Sequence, residues 1–379
     1  MEVYLDNSAT TRPYDEVVRT VCDIMKDTYG NPSSLHRMGK RAEDLLTDAR
    51  ELISSTVYCT PDELYFTCGG TESDNLAIIG YAMANRRRGN KIITQATEHK
   101  AVLESFEYLG KNGFEVCVLP VDGQGMIDME VFEKELDDNT ILVSIMAVNN
   151  ETGAIMPIDK ISSKIDHSKC ALHVDGVQAY GKIKLNVKKL GIDMLTLSAH
   201  KIHGPKGAGA LYVRRGLKVE PRFLGGQQEK AMRSGTENPP AIAGFAKAAQ
   251  IKFDSFDECA QKVEGLKQRL IKGVQDIEGT VINSPENSVY SVVNISFTGV
   301  RSEVLLHVLE SKGIYVSAGS ACNSKKDKYS YVLQAMGLPV KVIDSALRFS
   351  LSEFNTEEEI DYVCSVLAKE VPILQKIMK

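Results

Sequence analysis

The chain has no Cys-x-x-Cys pair, no long apolar run and no excess of one charge, and each absence closes off a class of function. Its eight cysteines, at 22, 59, 68, 117, 170, 259, 322 and 364, are scattered. Without paired spacing they indicate neither a zinc site nor a disulfide scaffold, no metal is expected, and reduced thiols are expected. No stretch approaches the ~20 apolar residues of a spanning helix. The opening Met1-Glu2-Val3-Tyr4-Leu5-Asp6 has neither a basic region nor an apolar run, so no membrane contact and a cytoplasmic location are expected. The 45 basic and 50 acidic residues are interspersed, with a formal net charge of -5. That leaves no electrostatic footprint for direct binding of nucleic acid.

What is present is the composition of a globular enzyme: 379 residues, 43% hydrophobic and 25% charged, long enough for about two domains. From residue 13 to about 254, helical and strand-like segments alternate as in an α/β domain with a mixed, mostly parallel sheet. Helical periodicity is clear over 35–57 and 71–88. Short apolar runs at 64–67, 91–94, 141–148 and 194–197 read as buried strands. After a helical stretch over 241–277 the pattern changes to a strand at 289–297, a helix at 302–312, strands at 314–317 and 346–351, and a closing helix at 357–377. Residues 255–379 therefore read as a second, smaller α+β domain.

The most informative residue is Lys201, in Ser198-Ala199-His200-Lys201-Ile202-His203-Gly204-Pro205-Lys206-Gly207, a strand-to-loop junction rich in small and hydrogen-bonding residues. A lysine that condenses with an aldehyde must lose its proton near neutral pH, and removal from water beside other cations permits this. Pyridoxal 5'-phosphate is the cofactor held in this way, and it also needs an acid against its ring nitrogen. His173-Val174-Asp175-Gly176-Val177-Gln178 supplies Asp175 at the end of an apolar strand, with Gln178 available for the ring's phenolic oxygen. A phosphate needs backbone amides and hydroxyls where a glycine-rich turn opens a helix, and Thr67-Cys68-Gly69-Gly70-Thr71-Glu72-Ser73 offers Gly70 and Thr71.

Three more positions have chemistry in their setting. His99 follows the strand at 91–94 and opens a helix, where its imidazole could lie on the ring and relay protons. Arg348 stands in the apolar run Ala346-Leu347-Arg348-Phe349-Ser350-Leu351, where a guanidinium is costly unless it meets an anion such as a carboxylate. Cys322, in Gly319-Ser320-Ala321-Cys322-Asn323-Ser324 and followed by Lys325-Lys326-Asp327-Lys328, lies in a run too small and polar to bury a thiol and cationic enough to favour a thiolate. Each has a plainer reading when taken singly. Lys201 could be solvated surface, Asp175 a turn or cap, Thr71 and His99 helix caps, Asn149-Asn150 a turn signal and Arg348 half of a structural ion pair.

Co-occurrence in chain order decides. With Tyr4-Leu5-Asp6-Asn7-Ser8-Ala9-Thr10-Thr11 and Gly30-Asn31-Pro32-Ser33-Ser34-Leu35-His36 added, nearly the whole chain resembles the group I (NifS/IscS-like) cysteine desulfurases of the class V aminotransferase family. The resemblance implies fold type I of the pyridoxal phosphate enzymes, with residues 1–12 joining 255–379 in the small domain. It implies further phosphate contacts from Ser198, His200 and Thr236, with Thr236 reaching the cofactor of a second subunit in a homodimer. Asn150 would meet the cofactor or substrate, His99 would stack and move protons, and Arg348 would hold the carboxylate of L-cysteine. Cys322 would take the sulfur as a persulfide, releasing L-alanine and passing sulfur to a protein acceptor that serves iron-sulfur clusters, tRNA thiolation or cofactor synthesis. Asn323 stands where the family commonly has Thr, and the basic run after it is unusual; the tail is shorter than in members whose C-terminus docks a scaffold. A selenocysteine lyase or plain class V aminotransferase would share Lys201 and Asp175. A non-catalytic sulfur carrier or scaffold would keep the fold without turnover.

Overall fold

The protein is represented by a computed structural model that describes residues 1–319 and 329–378. Its first strand, β1 (Val3–Tyr4), belongs to the smaller layer. The larger layer contains β2 (Leu64–Thr67), β3 (Lys91–Gln95), β4 (Glu115–Leu119), β5 (Thr140–Met146), β6 (Ala171–Asp175), β7 (Met194–Ser198) and β8 (Gly209–Val213). These pair in the order β2-β8-β7-β6-β5-β3-β4. Strands β3 to β7 are mutually parallel, and β8 runs against both of its neighbours. The mixed, mostly parallel sheet expected from the alternating pattern is therefore present.

Every residue of β3, β5, β6, β7 and β8 is buried, as in a sheet covered by helices on both faces. Because successive side chains point to opposite faces, Ile93, Val143 and Leu172 join one apolar cluster while Ile92, Leu142 and Ala171 join another. Helices Asp15–Asp27 and Arg37–Thr56 pack against Pro239–Asp254 on the first of these sides.

The smaller layer is formed by β9 (Thr280–Ile282), β10 (Val292–Phe297), β11 (Ile314–Tyr315) and β12 (Ala346–Ser350). Strands β12-β10-β9 are antiparallel, and β1 pairs in parallel with β11. Isolated bridges from Asp6 to Ser350 and from Ser317 to Arg348 tie the two sheets together. Val3, Leu5, Val263, Phe297, Leu347, Phe349 and Val371 share the core of this layer. The helical stretch expected over 241–277 is two helices, Pro239–Asp254 and Phe256–Val274, broken at Ser255, whose hydroxyl turns back to the Ile251 carbonyl at 3.0 Å. A side-chain bond of this kind competes with the backbone ladder.

Candidate active site

In a parallel sheet the strand ends that point the same way open onto one crevice, and ligands bind at the carboxyl ends. Here β2 ends in the turn to Gly70, β3 is followed by His99, β5 by Asn150, β6 ends at Asp175, and β7 is followed by the single turn Ala199–Lys201. These meet in a cavity of about 220 Å³ lined also by Ser8, Ala9, Asp74, Gln178, Ser198, His200 and Arg348.

The N-terminal segment threads across this crevice. Lys201 Nζ donates to the Ser8 carbonyl at 2.6 Å and the Ala9 carbonyl at 2.8 Å. Gln178 Nε2 donates to the same Ser8 carbonyl at 2.9 Å. Arg348, 2% exposed, donates from Nη2 to Asp6 Oδ1 at 2.7 Å and from Nη1 to the Asn150 carbonyl at 3.0 Å. His99 caps the helix Lys100–Lys111, its Nδ1 accepting from the Ala101 amide at 3.2 Å. That acceptor role makes Nε2 the ring nitrogen that carries a proton in the neutral form.

The helix that begins at Gly70 is preceded by Gly69 (φ +155) with no side-chain cap. A Cβ on Gly70 would lie 2.7 Å from Val177 Cγ2, so only glycine lets the turn approach the Asp175 loop so closely. The helix continues to Asn85 through a wide π turn at Leu76–Gly80. A π turn shifts the register of the side chains that follow it and is frequent at functional sites.

Beneath the cavity lie buried carboxylates. Burial raises the pKa of Asp175, while the charges of His99 and Lys201 pull it back down, and its Oδ1 accepts from the Val177 amide at 2.8 Å. Asp74 is raised well above the usual range, first by burial and then by the charge of Asp175. Of this pair Asp74 is the one that keeps its proton and Asp175 the one placed to carry charge, since two adjacent buried carboxylates cannot both ionise cheaply. His173 links Ser144 at 2.8 Å and Thr196 at 3.0 Å, and burial lowers its pKa to about 3, so it is neutral. His200 is lowered to about 4 by burial and by Lys201, Lys206 and Lys182.

Several polar atoms around the cavity are buried with no partner: Ser8 Oγ, Asp74 Oδ1, Asn150 Oδ1, Ser198 Oγ and Arg348 Nε. Such atoms are expensive unless something occupies the site. An amine, a carboxylate, an uncapped helix start and unsatisfied hydroxyls together fit a ligand with an aldehyde, a basic ring nitrogen and a phosphate.

Residues 3–363 match the model of the class-V aminotransferases. The chain belongs to that family. Among relatives it is 44% identical to the cysteine desulfurase IscS of Methanosarcina thermophila, over 99% of this chain and 92% of the relative. It is 43% identical to the cysteine desulfurase IscS 1 of Archaeoglobus fulgidus, over 95% and 94% of the two chains. A solved NifS-like protein superposes with a TM-score of 0.93 at 39% identity, over 98% of this chain and all of that one.

In this class-V chain the cavity gathers Gly70, Thr71, His99, Asn150, Asp175, Gln178, Ser198, His200, Lys201 and Arg348. Thr236 is not among its lining residues and is exposed. Cys322 lies outside the described residues. Thr71, weighed as a helix cap, falls inside the helix, and Gly69 takes the cap position. The sequence reading gave no role to Asp6, Ser8, Asp74 or Lys182. Asp74 had a usable signal, because it stands four residues after Gly70 and so on the same helix face. Asp6 and Ser8 act through contacts 170 to 342 residues away in sequence, which no local pattern encodes.

Proposed function

We propose that the protein is a cysteine desulfurase that converts L-cysteine to L-alanine and leaves the sulfur as a persulfide on Cys322. The observation that carries this reading is the convergence of Lys201, Asp175 and Arg348 on one cavity in a chain over 40% identical to cysteine desulfurases. When bound, pyridoxal 5'-phosphate supplies an aldehyde for an amine and a ring that withdraws electrons from the substrate's Cα.

The chain's own residues do the rest. Asp175 holds a proton on the ring nitrogen, and Gly70, Thr71, Ser198 and His200 hold the phosphate, with Thr236 serving a second subunit of a homodimer. Lys201 moves the proton at Cα, and His99 covers the ring and assists. Arg348 orients the substrate carboxylate through the donor its present partners leave unused, with Asn150 beside it. The Cys322 thiolate forms a bond to the substrate sulfur as the carbon-sulfur bond breaks, and the carbon takes a proton, so that cysteine plus thiol becomes alanine plus persulfide. Residues 13–254 form the cofactor domain, and 1–12 with 255–379 the small domain, a division supported by an apolar cluster drawn only from Val3, Leu5 and residues after 255. The persulfide then passes to a protein acceptor in iron-sulfur cluster assembly, tRNA thiolation or cofactor synthesis. Among the described residues no helix is long and apolar enough to cross a membrane, and a cytoplasmic setting accords with the reduced thiols.

The test separates the two stages of the chemistry. Cys322→Ala binds pyridoxal phosphate and stays yellow but releases almost no alanine from cysteine, because the covalent nucleophile is gone. Mass spectrometry of the wild type after brief exposure to L-cysteine shows added sulfur on the Cys322 peptide. Sulfur on Cys68 or Cys364 instead, or full turnover by Cys322→Ala, overturns the reading.

A further inference from the structure

Lys182 lies one helical turn after Gln178, in the short turn that follows Asp175, where the Tyr180 amide bonds the Gly176 carbonyl at 2.8 Å. Its Nζ donates to Gln178 Oε1 at 2.8 Å. Gln178 Nε2 in turn donates to the Ser8 carbonyl at 2.9 Å, the same oxygen that accepts from Lys201 Nζ at 2.6 Å. A continuous chain of hydrogen bonds therefore runs from Lys182 to Lys201.

The two ends of a glutamine amide differ in what they offer a ligand, and what lies behind the amide decides which end faces forward. A lysine ammonium has three donors and no acceptor. Behind Gln178 it captures Oε1, leaving Nε2 turned to Ser8 and the cavity. We propose that Lys182 is a positioning residue: it locks the Gln178 amide so that the cofactor beside Lys201 meets a donor there and not an acceptor. This rests on the pyridoxal phosphate reading of the cavity.

The surroundings of Lys182 leave it this task. The charged groups facing it are Lys201, Lys252, Arg348 and Glu353, and burial followed by the three cations lowers its pKa to about 7. Glu353 is already engaged by Lys252 Nζ, at 2.9 Å to each oxygen. Even the neutral amine keeps N–H groups for Gln178, and protonation adds another. The turn comes this close because Gly181 (φ +71) has no side chain; a Cβ there would lie 2.8 Å from Ile202 Cγ2 and 2.9 Å from Lys252 Cγ. An amine set among three cations at this cost, within reach of one amide in the site wall, is explained by the amide.

A double-mutant cycle tests the lock, with Lys182→Met, Gln178→Leu, the pair, and Lys182→Arg. Two quantities are read on each: the dissociation constant of pyridoxal phosphate from the apoprotein by equilibrium dialysis, and the pH midpoint at which the bound cofactor's visible band changes. Lys182→Met weakens binding about tenfold, the worth of one well-placed hydrogen bond, and displaces the midpoint. In the Gln178→Leu background the same change alters binding by less than about twofold, because Lys182 then has no amide to orient. Lys182→Arg, which keeps the donors, stays within about twofold of the wild type. If Lys182→Met costs the same factor with and without Gln178, or if Lys182→Arg loses as much as Lys182→Met, the positioning role is wrong. A wild type with no bound chromophore overturns the cofactor reading and this role with it, whereas a bound chromophore with additive variants overturns the role of Lys182 alone.

Discussion

The cavity at the ends of β5, β6 and β7 and the core under β10 and β12 both bury side chains, yet they are built on opposite terms. In the smaller core Val3, Phe297, Leu347 and Phe349 are fully buried and meet one another. Each such side chain contributes roughly 1.5–3 kcal/mol on burial. Around the cavity Ser8, Asn150, Ser198 and Arg348 keep buried polar atoms without partners, each at a cost on the order of 1–3 kcal/mol. The first region holds the chain together, and the second spends part of that stability on being ready for a ligand.

Substitutions on the two sides should therefore fail in different ways, and the largest effect belongs to the cavity. Lys201→Ala is expected to lose ~10³-fold or more of alanine formation, as for other residues that carry covalent chemistry, and to lower the apoprotein's stability only by the two bonds to the Ser8 and Ala9 carbonyls. Borohydride should fix no cofactor to the variant; a fixed link mapped to Lys206 or Lys100 would remove Lys201 from its role. Phe297→Ala is the counterpart. It should cost about 3–5 kcal/mol in urea unfolding while activity per folded, cofactor-loaded site stays near the wild-type value.

Arg348 lies where the two regions touch, on β12 of the small layer with its head in the cavity, so Arg348→Lys sharpens the comparison. A lysine cannot reproduce the fork that meets Asp6, the Asn150 carbonyl and a substrate carboxylate at once. The expected outcome is a KM for L-cysteine raised roughly 10–100-fold with a smaller change in kcat, the worth of one hydrogen bond to a charged group. A purely structural ion pair with Asp6 would instead lower stability and leave KM alone.

How much of this could be read beforehand follows the same division. The strands and their ends were legible because a buried parallel strand is a short apolar run, and Lys201, Asp175 and His99 each follow such a run. Strand β8 was not singled out; Gly209 opens it, and the run Gly209–Val213 has the smallest side chains of the sheet at its start. Arg348 was legible as a charge in an apolar strand, but its partner Asp6 was not, because their pairing depends on β1 folding back onto the small layer. The buried companions of Asp175 were invisible for a similar reason. Periodicity marks a residue as facing inward, but it does not say that another carboxylate is already there.

That crowding gives the smallest and most specific prediction. Asp74 has its pKa raised above the ordinary 3.8 by burial and by Asp175. Between that value and its native pKa, the folded protein holds a proton that the unfolded chain has released. The unfolded state then binds fewer protons than the native one, so this group's contribution to stability falls as pH rises through the window. Asparagine has the same shape and cannot ionise, so Asp74→Asn removes the slope. The variant should match the wild type below about pH 3, where Asp74 is protonated in both the folded and the unfolded state, and become more stable by ~1 kcal/mol or more as pH increases. Urea unfolding at pH 5 and pH 8 reads the difference. A stability gap that stays constant across that range would mean that Asp74 is ionised in the native protein, and that Asp175 keeps the shared proton instead. In that case Asp175 could not serve as the charged partner of a ring nitrogen.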